Sequence, residues 1–138
     1  MKVKNKTIII TDPCYIIPAG KDDDWYFFCE HEYFNTKELT NYLVENTIYG
    51  DWSCTTYNSD NKEVLGEFCA DAGMVGVFEL DEVLKYNPNF DFWKSRPWTT
   101  TKIDNFTGIV EIAYDETTGS NMVIGKGNIN FETHQTGL

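Results

Sequence analysis

The spacing of apolar and polar positions changes several times along the chain, and each change marks a predicted element. Thr7-Ile8-Ile9-Ile10 is a β-branched run, the residue type that packs best on a pleated surface, and predicts a strand over 6–11. Pro13 has no amide hydrogen and bars a central ladder position immediately afterwards. Tyr15-Ile16-Ile17 is expected to resume extended structure until Pro18-Ala19-Gly20 turns it. Asp22-Asp23-Asp24 suits a helix N-terminus, where carboxylates accept from free amides and meet the positive end of the dipole, so 25–31 is predicted as a short helix. Asn35-Thr36-Lys37-Glu38 resembles a capping box, and Leu39, Tyr42 and Leu43 follow at helical spacing, which predicts a helix over 36–46.

Strand signals dominate from there on. A strand is expected over 51–57, a turn at Asn58-Ser59-Asp60-Asn61, and strands over 63–69 and 74–80, where Gly73 and Gly76 suggest a bulge or a close backbone approach. Asp81 to Tyr86 predicts a capped helical turn ahead of Pro88. The aromatic stretch 87–105 is expected to be an irregular loop, broken by Pro88 and Pro97. Residues 108–114 and 121–125 predict a hairpin, and 128–133 a last alternating strand. The sum is an α+β fold: a mainly antiparallel β-sheet, with a strongly curled or barrel-like form open to it, and two or three short helices. One domain is expected over 1–138, a length at which a single core buries roughly two thirds of the unfolded surface.

Charge narrows the partners. A net charge of −11 repels nucleic-acid phosphates, and the basic residues do not cluster beyond Lys2, Lys4 and Lys6 at a terminus expected to fray. Direct nucleic-acid binding is not expected, whereas a protein or a small-molecule ligand is. No apolar run approaches the roughly 20 residues that span a bilayer, and the opening residues lack the pattern of a signal peptide, so a cytoplasmic location with four reduced cysteines is expected. The expected state is a monomer or weak dimer.

Candidate chemistry centres on Asp12-Pro13-Cys14-Tyr15 and Cys69-Ala70-Asp71. Asp12 and Cys14 are two residues apart, as are Cys69 and Asp71, so on extended backbone each pair would point to one side of its strand. If those strands are neighbours, Asp12, Cys14, Tyr15, Cys69 and Asp71 form a pocket. Structural zinc spacings such as Cys-x-x-Cys are absent, so no metal and no cofactor is expected. A Cys nucleophile needs a base, and neither His31, in an acidic segment, nor His134, in the terminal tail, has a suitable context. Carboxylate pairs such as Glu79 with Asp81 arise without meaning in so acidic a chain, and Gly125-Lys126-Gly127 is too short for a phosphate loop. Phe92-Trp93-Lys94-Ser95-Arg96-Pro97-Trp98 offers a second surface, because Trp with Arg is the pairing enriched at interface hot spots. Trp93, Arg96 and Trp98 are the candidate contact residues, unless the tryptophans cover one end of the sheet.

Asp12-Pro13-Cys14-Tyr15, Asp24-Trp25 with Phe28-Cys29, Phe68-Cys69-Ala70-Asp71-Ala72-Gly73 followed by Val75-Gly76-Val77, and Gln135-Thr136-Gly137 together resemble a group of small uncharacterised bacterial and bacteriophage proteins. The resemblance implies a phage or prophage context, in which small acidic proteins act on host components, and no particular activity. The expected function is a small acidic binding protein acting on a host protein or sequestering a small ligand. The alternative is a metal- or thiol-dependent enzyme using the Asp12, Cys14, Cys69 and Asp71 region.

Overall fold

The β-branched run does form a strand, and it is longer than its apolar part. In the computed structural model, which describes residues 1–15, 42–46, 53–70, 73–86, 88–90, 99–117 and 119–135, β1 spans Lys2–Thr11. The three lysines expected to fray belong to this strand, where the exposed Lys2 and Lys4 flank the buried Val3. The further strands are β2 (Tyr42–Asn46), β3 (Ser53–Asn58), β4 (Val64–Cys69), β5 (Met74–Glu79), β6 (Thr100–Asp115), β7 (Ser120–Gly127) and β8 (Phe131–Gln135). One α-helix among the described residues, α1 (Leu80–Tyr86), follows β5 directly. Asp81 and Glu82 in its first turn meet the positive end of its dipole.

These strands make one antiparallel sheet in the order β2-β5-β1-β6-β7-β8-β3-β4. The α+β expectation is therefore overturned. Among the described residues the protein is a mostly antiparallel β-sheet, open at β2 and β4, with one short helix in place of two or three. The helix expected over 36–46 fails in its described part, because Tyr42, Leu43 and Val44 pair with Phe78, Val77 and Gly76 of β5. Tertiary pairing has overridden a helical spacing in residues that suit a pleated surface equally well. The loop expected over 87–105 gives way at Thr100, where Thr-Thr-Lys-Ile begins β6 against β1. The helix expected over 25–31 lies outside the described residues.

The sheet curls sharply. Asn5 (φ 49°) and Asn105 (φ 53°) adopt left-handed backbone where the β1–β6 register slips on both sides of Lys6, and such bulges bend and twist the strands that carry them. Gly66 of β4 thus lies over β6, with Thr101 Oγ1 2.8 Å from where a Cβ would stand, although three strands separate β4 from β6 in the ladder order. The concave face encloses Ile8, Ile10, Val75, Val77, Ile103, Val110, Val123, Phe106 and Phe131. The Phe106 and Phe131 rings meet edge to face at 5.3 Å and 71°. On the opposite face Ile9 and Phe78 pair in register and are fully buried, and α1 packs on β1 and β5, with Val83 buried. No helix among the described residues is long and apolar enough to cross a membrane.

Candidate functional site

Asp12 lies where β1 ends, fully buried. Pro13 stops the ladder as expected, but the backbone then coils instead of staying extended: Pro13–Tyr15 is a 3₁₀ turn closed by Tyr15 N–H donating to the Asp12 carbonyl at 3.0 Å. The expectation that Asp12 and Cys14 share one side of an extended strand is thereby corrected, because a 3₁₀ turn rotates successive residues by about 120° instead of 180°.

The Asp12 carboxylate instead reaches across to the β4–β5 connection, where Oδ2 accepts from Met74 N–H at 3.1 Å. A second bond, Gly73 N–H to the Ala70 carbonyl at 3.1 Å, closes the turn just before it, and Gly73 sits at φ 74°, a conformation glycine adopts without cost. Asp12, just after β1, and Met74, at the start of β5, are therefore joined. Asp71 itself lies outside the described residues, as do Trp93, Arg96 and Trp98, and the Cys14 side chain is likewise not described. Tyr15 is half-buried, and Cys69 is half-buried at the end of β4 opposite Ser53.

The structure adds a residue that sequence reasoning did not single out. Cys54 of β3 is buried, and burial above all, with Cys69 and Asp12 nearby, pushes its thiol up to about 12. Cys54 and Cys69 are thiols, not a disulfide. A thiolate is the reactive form of cysteine, and catalytic thiols are tuned downward. Cys54 is tuned the other way.

Register then assembles a polar patch around Cys54. Gln135 stands opposite it on β8, Thr56 follows two residues on, Thr133 stands opposite Thr56, and Thr101 covers Gly66, the β4 partner of Thr56. All lie on the concave face, since Cys54 pairs with the core Phe68 and Thr101 with the core Ile10. Thr133 Oγ1 accepts from Val123 N–H at 2.7 Å. Thr56 Oγ1, Thr101 Oγ1 and both amide atoms of Gln135 are buried with no hydrogen-bond partner among the described residues. Thr100 Oγ1 shares that condition but stands opposite Thr11, on the other face.

His134 belongs to β8, not to a loose tail, and its Nε2 lies 3.0 Å from Glu132 Oε1 with Nδ1 3.9 Å from Asp115 Oδ2. His134 stands opposite Thr55, one residue from the Gln135–Cys54 pair and therefore on the other face of the sheet, so it gives the Cys54 thiol no base. Among the described residues no group of three or more His, Cys, Asp or Glu is placed to hold a metal ion. What the fold and the site define is an open, curled antiparallel sheet whose concave face turns polar at the Asp12 end. No protein-family model matches this chain, and no curated protein or solved structure shows significant similarity to it.

Proposed function

We propose that the chain works by binding, and that its ligand is a small, uncharged, hydrogen-bonding molecule held at the Asp12 end of the concave face. The observation that carries this reading is the set of buried polar atoms on Thr56, Thr101 and Gln135 that have no partner among the described residues, set around Cys54, which Asp12 also approaches. A buried polar group without a partner costs about 1–3 kcal/mol, and native structures keep few of them. A carboxamide or a nucleobase edge offers paired donors and acceptors that match the Gln135 amide and the two hydroxyls. Gln135 and Cys69, both half-buried, link the patch to the surface. Cys54, whose thiol is held protonated, is not suited to act as a nucleophile in this patch. The bacterial or phage setting suggested by the sequence fits a protein that sequesters such a ligand.

Thermal unfolding against nicotinamide, adenine and uracil tests the proposal. A probe at a hundredfold excess over its Kd adds about 2.7 kcal/mol, a rise in Tm of roughly 10 °C for a chain of this size. The rise should vanish in Thr56→Val and in Gln135→Leu. If none of the probes raises Tm and both variants are more stable than the parent, the orphaned groups are only a cost and the reading fails.

A further inference from the structure

The convex face of the β6–β7 hairpin carries a different pattern, on the other side of the sheet from the polar patch. Ile109 stands opposite Lys126, and Glu111 opposite Ile124. Strands lie about 4.8 Å apart and alternate residues about 6.8 Å along, so the two isoleucines occupy one diagonal of this checkerboard and the two charges the other. These four residues line a groove of about 170 Å³. Ile109 is 48% exposed, an uncommon condition for an isoleucine in the middle of a strand. Glu111 and Lys126 are exposed, and neither side chain has a hydrogen-bond or ion-pair partner among the described residues.

We propose that this face docks a second copy of the chain about a two-fold axis lying along the isoleucine diagonal. Rotation about that axis returns Ile109 onto Ile109 and Ile124 onto Ile124. It also brings Glu111 to within about 3 Å of a position over the partner's Lys126, and Lys126 likewise over the partner's Glu111, so both long side chains gain an opposite neighbour within reach. A self-complementary patch of this kind is what a two-fold interface requires. A uniformly basic or acidic partner is a poorer fit, since either meets one like charge on the square. The patch is small, and each copy carries −11, so the dimer belongs to the weak class.

Sedimentation velocity from about 20 µM to about 1 mM, at about 0.15 M salt, reads the association directly. The parent should sediment faster as concentration rises. Glu111→Lys and Lys126→Glu should each weaken association by about tenfold or more, and the double exchange Glu111→Lys/Lys126→Glu should restore it. Glu111→Lys makes the chain less negative, so general repulsion predicts stronger association for it; the expected loss isolates the local pairing. A parent that stays monomeric throughout, single variants that associate like the parent, or a double exchange that fails to recover would each overturn the proposal. All four positions lie on the outer face, and matching circular dichroism confirms that the variants fold.

Discussion

Gly125 is the position at which the packing of the concave face can be measured most sharply. A Cβ built there would overlap the ring of Phe131, its cross-strand partner on β8. Gly125 is absent from the residues with positive φ, so alanine meets no backbone strain and any loss is steric. Phe131 is fully buried and edge to face with the equally buried Phe106, so its ring has no empty space to enter. Overpacking of this kind costs about 1–3 kcal/mol, and displacing an edge-to-face pair about 0.5–1.5 more, so Gly125→Ala should lose about 2–4 kcal/mol. Phe131→Ala alone should lose about 3–5 kcal/mol. With the ring gone, adding the methyl group at 125 should cost almost nothing, which gives the pair a coupling of about 2 kcal/mol or more. Urea unfolding of the four proteins, read at unchanged m, measures the cycle. A Gly125→Ala loss under about 0.5 kcal/mol, or an equal loss in both backgrounds, would refute the packing argument.

Two further predictions concern the polar end. The folded chain keeps the Cys54 proton up to about 12, against an ordinary value of 9.0, so between those values it binds more protons than the unfolded chain. Stability from this group, on the order of 4 kcal/mol, is therefore complete below about pH 9 and lost as pH rises towards about 12. Cys54→Ala should flatten that alkaline decline in a series of urea titrations, and an unchanged slope would count against the buried thiol. Asp12→Ala should leave Met74 N–H without its acceptor and cost about 1–3 kcal/mol, with Asp12→Asn, which retains an oxygen, losing less. Hydrogen exchange at the Met74 amide checks this, and an amide no faster in Asp12→Ala than in the parent would count against the anchor.

Much of the strand content was legible because it is written in local pattern. The Ile8-Ile9-Ile10 run, the Met74–Glu79 strand, the helix before Pro88 and the hairpin of β6 and β7 all follow from residue type and punctuation by turn residues. The helix expected through Tyr42 shows the limit of that method. Leu39, Tyr42 and Leu43 satisfy a helical spacing, but Tyr42, Leu43 and Val44 also suit a strand. The choice is made by β5, more than thirty residues away, which no local window contains. The same reason hides the start of β6: Thr99, Thr100 and Thr101 follow an aromatic stretch that suggests a loop, and only pairing with Ile10 and Thr11 shows Thr100 and Thr101 to be ladder positions.

Of the candidate residues, Asp12 and Cys69 lie near Cys54, whereas Asp71, Trp93, Arg96 and Trp98 lie outside the described residues. Asp12 stood out because it follows a strand and lies two residues from Cys14, and Pro13 explains why Cys14 does not extend alongside it, since the chain turns there. Thr56, Thr101 and Gln135 carry no motif, and their interest lies wholly in polar atoms that are buried with no partner among the described residues, a property of the curl and not of the sequence. The curl itself depends on Asn5 and Asn105, which look like ordinary polar positions until their left-handed backbone is seen to bend the sheet. Straightening either bulge would lift β4 from β6 and separate Thr56 from Thr101, while Asp12 could still hold Met74. The anchor and the polar patch are therefore separable features, and a ligand that needs Thr56 and Thr101 together reports on the curvature of the sheet as much as on the residues that touch it.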